Sequence, residues 1–169
     1  MEKQSRKHVE HEFLPVYDQA SKVLILGTFP SVKSREGQFY YHHPRNRFWP
    51  VLSRLTGEPL PESIPEKKEM LLRHGISIWD VVASCDITGS SDSSIRNVVP
   101  ADIGRVLEDS QITEIYTNGG TAHRLYQKYC LENTGLEDVC LPSTSPANAA
   151  FSLEKLVEIW GRYLLGKIN

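Results

Sequence analysis

The run KVLILGTFPS (Lys22–Ser31) decides how the rest of the chain reads. Its apolar residues are unbroken from Val23 to Leu26 and closed by Gly27, the pattern of a strand buried on both faces. Gly27 and Pro30 then turn the chain out of the strand. A strand covered on both sides needs helices above and below it, and the remaining segments supply them. RFWPVLSRLTG (47–57) carries Phe48, Val51, Leu52 and Leu55 at helical spacing and stops at Gly57. PEKKEMLLRHG (65–75) opens on a proline, has His74 in its last turn and stops at Gly75. ISIWDVV (76–82) is the next buried strand. CDITGSSDSSIRN (85–97) is rich in Gly, Ser and Asp and reads as a loop. PADIGRVLEDS (100–110) reads as a short helix, ITEIYTNG (112–119) as a third strand, and TAHRLYQKYCLEN (121–133) as the helix after it. DVCLPSTS (138–145) is a fourth strand ending in a polar turn. SLEKLVEIWGRYLL (152–165) places Leu153, Leu156, Val157, Trp160 and Leu164 on one stripe behind an N-cap at Ser152.

This alternation predicts an α/β fold: a three-layer α/β/α sandwich around a central four-stranded parallel sheet. A single domain over residues 1–169 is expected, with residues 1–20 as an N-terminal extension or first helix. Ligands of such sheets bind beyond the carboxyl ends of the strands. The loops GTFPS, WDVVASC, TNGGT and LPSTSPAN therefore line one cleft.

Composition narrows the class. Of 169 residues, 40% are hydrophobic and 24% charged, with a net charge of −2, so no global positive field recruits polyanions. No apolar run approaches the ~20 residues of a membrane span. The opening MEKQSRKHVEHEF is charged throughout, unlike a secretory signal. Three widely spaced cysteines (Cys85, Cys130, Cys140) point to a reducing cytosol, not to a disulfide framework or a four-cysteine metal site. Locally, Lys33, Arg35, Arg45 and Arg47 outnumber Glu36, a stretch suited to phosphates. Glu58, Glu62, Glu66 and Glu69, interrupted by Lys67 and Lys68, read as a solvated face.

The cleft loops carry the chemistry. Gly27 lets a ligand approach the backbone. Phe29 is either a plug on the sheet end or a platform for a planar ligand, since base–aromatic stacking is worth roughly 1–3 kcal/mol per base. No GxGxxG or GKS/T occurs, which argues against a phosphate-binding glycine loop. In GQFYYHHPRNRFW (37–49), the adjacent His42 and His43 point apart and no third ligand follows at metal spacing. Tyr40 and Tyr41 cover a core edge, and Asn46, taken alone, reads as the cap of a helix beginning near Arg47. LPSTSPAN (141–148) offers hydroxyls and backbone N–H groups to a phosphate, or caps locally. Neither Ser143 nor Ser145 sits in GxSxG. Asp80 is a carboxylate inside an apolar strand, tied either by backbone N–H groups or by a ligand edge.

Taken together, LILGTFPS, YYHHPRNRFW, GISIWDVVASC and LPSTSPANA resemble the uracil-DNA glycosylase superfamily, in particular its hypoxanthine-DNA glycosylase branch. The resemblance runs from about Lys22 to the last helix. It implies a monofunctional glycosylase that flips a deaminated base out of DNA and hydrolyses its N-glycosidic bond. The base implied is hypoxanthine foremost, with uracil and xanthine also open. It implies no metal or organic cofactor, and single- or double-stranded DNA as the partner. A monomer in the cytoplasm of a bacterium or archaeon is expected. The best-known branch has a water-activating Asp where Phe29 stands, a second branch an Asn there, and the best-known branch has a His where Leu141 stands. The catalytic Asn of the hypoxanthine branch matches Asn46. On this resemblance Gly27, Thr28, Phe29, Pro30, Tyr41, Asp80 and Ser143 face the base. Ser31, Arg45, Ser145, Pro146, Ala147 and Asn148 face the DNA, with Lys33 and Arg47 adding charge. Two rivals remain: a module of the same fold that binds damaged bases without cutting, and a small-molecule hydrolase using Ser143 or Ser145.

Overall fold

The computed structural model of the chain describes residues 6–11, 13–30, 32–88 and 94–168. In chain order the first elements are β1 (Lys7–Glu10), β2 (Val23–Gly27), α1 (Val32–Gly37), α2 (Phe48–Thr56), α3 (Ile64–Arg73) and β3 (Ile76–Asp80). Then come β4 (Val82–Ile87), β5 (Arg96–Pro100), α4 (Ile103–Glu108) and β6 (Glu114–Asn118). The last are α5 (Gly120–Tyr129), α6 (Leu131–Thr134), β7 (Asp138–Leu141) and α7 (Leu153–Leu164).

The central sheet is four-stranded and parallel, in the order β3-β2-β6-β7. Every residue of β2 is buried, as its unbroken apolar run requires. Side chains alternate across a strand, so β2 feeds two cores. Val23 and Ile25 pack with α2, α3 and α7 through Leu52, Leu71, Leu156 and Trp160. Leu24 and Leu26 pack on the other face with Ile103 and Val106 of α4, Tyr126 of α5, and Val82, Cys85 and Ile87 of β4. The expected sandwich of a four-stranded parallel sheet between helices is therefore present.

The structure differs from the sequence reading around this frame. Within residues 1–20, expected as an extension or first helix, 7–10 form a strand: β1 pairs antiparallel with β4, from Lys7 opposite Ile87 to Glu10 opposite Ser84. Further on, Val16 bridges Ile78 at the edge of β3. The apolar run 76–82 is not one strand. The chain leaves the central sheet at Val81, whose N–H donates to Gly27 O (2.8 Å), and re-enters a second, antiparallel sheet of order β1-β4-β5. Of residues 85–97, expected as a loop, 85–87 end β4 and 96–97 start β5, while 89–93 lie outside the described residues. Val82, Cys85 and Ile87 are buried there among Ser and Asp residues whose polarity masks the pattern. The third strand begins at Glu114, and the helix expected over 121–133 breaks into α5 and α6.

Ser152 and Gly57 cap as their sequence signals predict, and Ser63 adds an N-cap to α3. Ser63 Oγ accepts from Glu66 N–H and Ser152 Oγ from Lys155 N–H, each satisfying an orphan donor of a first turn. Gly57 ends α2 in the left-handed conformation (φ 72°).

Candidate active site

The four parallel strands end together. Gly27 lies opposite Asp80, and Asn118 opposite Leu141, so the loops after these residues share one edge. Gly27 is a glycine because of what faces it. A Cβ there would lie 2.4 Å from Asp80 Oδ1 and 3.0 Å from Tyr41 Oη. The carboxylate and the phenol thus converge on one patch of backbone.

Tyr41 is held there at a cost. Its φ of 54° lies in the left-handed region, where a bulky side chain is strained. Its ring stacks on Phe48 with centroids 4.0 Å apart and planes at 21°. Its hydroxyl is buried without a hydrogen-bond partner among the described residues. Burial pushes this phenol far above its ordinary value, and the negative charge of Asp80 adds to the effect. The Asn118 amide is near enough to oppose the shift but not in hydrogen-bond geometry. Burial and then Asp80 raise the neighbouring Tyr40 phenol in the same way, and its hydroxyl donates to Leu14 O (2.9 Å).

Asp80 is tied by a side chain, not by the backbone N–H groups considered from sequence. Its Oδ2 lies 2.7 Å from His11 Nε2, with both side chains almost wholly buried (4% and 5% exposed). Oδ1 accepts from none of the described residues. His11 is the functional-site residue that the sequence reading missed. It is 69 residues from Asp80 and sits in a charged segment, HVEHEF, whose spacing connects it to nothing else. Only the pairing of β1 with β4 brings it beneath the cleft.

Asn46 reaches the end of β6 from the start of α2, through Thr144 and Asn118. The helix it was expected to cap begins at Phe48, with Arg47 at the N-cap position and no side-chain cap bond from that residue. Asn46 supplies the bond from one position earlier: its Oδ1 accepts from Phe48 N–H (2.9 Å). The same oxygen accepts from Thr144 Oγ1 (2.9 Å), and Thr144 Oγ1 accepts from Asn118 Nδ2 (3.0 Å). Thr144 N–H returns a bond to Asn118 Oδ1 (3.0 Å). A backbone N–H can only donate, so the Asn46 oxygen faces Phe48 and its NH2 is left without a partner among the described residues.

Arg47 is not available to phosphates. Its guanidinium donates to the carbonyls of Thr144 (3.3 Å), Ser145 (2.7 Å), Asn148 (3.1 Å) and Phe151. One side chain thereby staples the loop after β7 onto the start of α2. Trp160 Nε1–H adds a bond from α7 to Pro142 O (2.9 Å).

The other expected residues fall as follows. Phe29 is nearly buried (9% exposed) in the second core, edge-on to His11 at 5.9 Å, with the Arg35 guanidinium 5.9 Å above its ring. Thr28 and Pro30 are buried beside it. Leu141 is fully buried, and Arg45 is exposed. Ser143, Ser145, Ala147 and Asn148 line a cavity of about 520 Å3 with Gly119 and Gly120 at the start of α5. Ser143 Oγ accepts from Ser145 N–H and Ser145 Oγ from Ala147 N–H, so the loop turns on its own hydroxyls. Pro146 is exposed at its tip. Ser31 lies outside the described residues, as does the side chain of Lys33.

The Asp80 carboxylate at the end of β3, the Tyr41 phenol beside Gly27 and the Asn46 amide before α2 are polar groups of the kind that can meet the edge of a planar ligand. The comparisons with known proteins give the family. Residues 14–162 match the family model described as the uracil DNA glycosylase superfamily. The chain therefore belongs to the uracil DNA glycosylase superfamily, and it is a DNA glycosylase, an N-glycosyl hydrolase acting on DNA. It is 34% identical over 145 residues to a hypoxanthine DNA glycosylase of Methanosarcina acetivorans, covering 85% of this chain and 91% of that protein. It is 36% identical over 86 residues to a hypoxanthine DNA glycosylase of Methanosarcina barkeri, covering 50% and 54%. The solution NMR structure of a Methanosarcina acetivorans protein, provisionally described as a uracil DNA glycosylase, superposes with a TM-score of 0.79. That pair is 31% identical and covers 93% of this chain and 97% of the other.

Proposed function

We propose that this chain excises hypoxanthine from DNA by hydrolysing the N-glycosidic bond of a flipped deoxyinosine, as the first step of base excision repair. The observation that carries the proposal is the pair at Gly27. Asp80 Oδ1 is an open acceptor, and the Tyr41 hydroxyl is a buried donor in need of an acceptor. Hypoxanthine presents an N1–H donor beside an O6 acceptor and satisfies both. Adenine reverses the order, with an N6–H2 donor and a bare N1 acceptor, so it cannot meet both groups in the pose that hypoxanthine takes. Uracil and xanthine share the N–H/C=O edge and are secondary substrates on the same reasoning. The names of the two Methanosarcina relatives support the substrate.

The reaction passes through an oxocarbenium-like sugar as the C1′–N9 bond breaks and the base gathers negative charge. Water adds to C1′, and its proton is returned to the departing base. Asn46 cannot act as a base, and its carbonyl is already saturated. Its NH2 is preorganised to donate where charge develops, on the leaving base or on the attacking water's oxygen. Flipping costs a few kcal/mol and least at a mispaired base. The loop 143–148 and Arg45 hold the flanking phosphates.

A panel of oligonucleotides, each with one deaminated base and cleaved by alkali after treatment, tests the substrate. Strand scission at hypoxanthine and none at adenine is expected. Asn46→Ala should lower the excision rate on the order of a hundredfold, the scale of losing one preorganised donor. It should destabilise the fold by only about 1 kcal/mol through the lost cap. Retained turnover would leave Asn46 as a cap alone.

A further inference from the structure

We propose that His11, on the N-terminal segment, is a positioning residue for base recognition: it locks Asp80 through a fixed Nε2–H tautomer and leaves one carboxylate oxygen for the base. The inference rests on the glycosylase reading of the cleft and extends it to a residue outside the four cleft loops.

Phe13 N–H donates to His11 Nδ1 (3.1 Å). A backbone N–H has no other role, so Nδ1 is the bare nitrogen and the ring proton sits on Nε2. That proton points at Asp80 Oδ2, 2.7 Å away. The ring cannot turn over. It is packed edge-on between Phe13 (centroids 5.4 Å) and Phe29 (5.9 Å), with Tyr40 at 5.7 Å. The arrangement is that of a ligating or catalytic imidazole oriented by its second nitrogen.

Two consequences follow for the base. First, the carboxylate plane is fixed, and Oδ1 is turned onto Gly27 beside the Tyr41 hydroxyl. Secondly, a carboxylate close to a departing anionic base repels it, and the His11 proton draws negative charge towards Oδ2, on the side away from Gly27. The ring of Phe29 is then part of this device: it walls the imidazole in.

The test uses the full chain. A two-bond 1H–15N NMR spectrum of the wild-type protein near neutral pH should show His11 as the neutral Nε2–H tautomer. The Nδ1–H tautomer, or an imidazolium, overturns the proposal whether or not any variant folds. In single-turnover excision of hypoxanthine, His11→Phe keeps the ring packing and removes the donor. It should slow the step about tenfold to a hundredfold, the scale of misplacing a recognition group, while the Kd for DNA stays unchanged. His11→Gln restores an N–H near the Nε2 position and should return the rate to within a few fold of wild type. A folded His11→Phe protein with the wild-type rate, or a His11→Gln protein no better than His11→Phe, sinks this inference alone. A wild-type chain that excises no deaminated base sinks the substrate reading and this inference with it.

Discussion

On the proposed mechanism Asn46 performs two tasks with the two ends of one amide. Its oxygen holds the start of α2 and the Thr144 hydroxyl, and its NH2 remains for the reacting groups. Both roles were legible in the sequence as alternatives, because Asn before an apolar helical run is a capping signal and HPRN a family motif. What the sequence does not show is the 2.9 Å contact with Thr144, 98 residues away, which engages the oxygen and leaves the NH2 for the proposed role. Gly27 is similar: sequence shows a turn, and structure shows a close approach. Gly27→Ala should keep the fold but push Asp80 Oδ1 and Tyr41 Oη off the patch, since neither has room against a strand backbone. Overpacking of this kind costs about 1–3 kcal/mol, and hypoxanthine excision should fall by an order of magnitude or more in the alkali assay. Gly104→Ala, in α4 and away from the cleft, should leave excision at the wild-type rate. His11 was invisible at this scale, because a histidine among charges carries no periodicity.

At the scale of elements, the loop after β7 depends on Arg47. Read as a charge in a basic stretch, it was assigned to phosphates. Read in space, it satisfies four carbonyls of a turn that has no ladder of its own. Arg47→Lys keeps the charge and loses the planar fork that spans these acceptors. It should lower stability in urea by about 2 kcal/mol, the worth of hydrogen bonds to a charged donor. On the role proposed for the loop 143–148, DNA affinity should fall with it, because Thr144 and that loop lose their anchor. Wild-type stability in Arg47→Lys would show that the staple is redundant. The second sheet was missed at this scale too. Its strands are short and one-sided, and their Ser and Asp residues carry loop composition although Val82, Cys85 and Ile87 are buried.

At the scale of the whole molecule, two cores share one sheet, and Asp138 ties that sheet to α5. Its side chain is wholly buried and accepts from Thr117 Oγ1 (2.6 Å), His123 Nδ1 (2.7 Å) and Gln127 Nε2 (2.7 Å). Burial alone would raise this carboxyl, but the three donors outweigh it and hold it below the ordinary carboxylate range. In the unfolded chain it returns to about 3.9. Its contribution to stability is therefore complete above that value and is lost as pH falls through the folded one. Urea midpoints measured from pH 7 downward should drop in acid, and Asp138→Asn should flatten that drop while lowering stability at pH 7. An unchanged acid profile in Asp138→Asn would remove this carboxylate from the account.

By itself the sequence determined the parallel sheet, its helical layers and the loops that form the cleft. These follow from local periodicity: an unbroken apolar strand demands cover on both faces, and ligands collect where such strands end. It also marked Asn46 and Asp80, because an Asn before a helix and a carboxylate in an apolar strand are anomalies that show in one dimension. Tertiary structure alone decided which groups meet. The His11 bond to Asp80, the Arg47 staple and the placing of Tyr41 beside Gly27 join residues far apart in the chain or strained in backbone. No repeat or spacing encodes them; long-range hydrogen bonds hold the first two, and stacking on Phe48 holds the third.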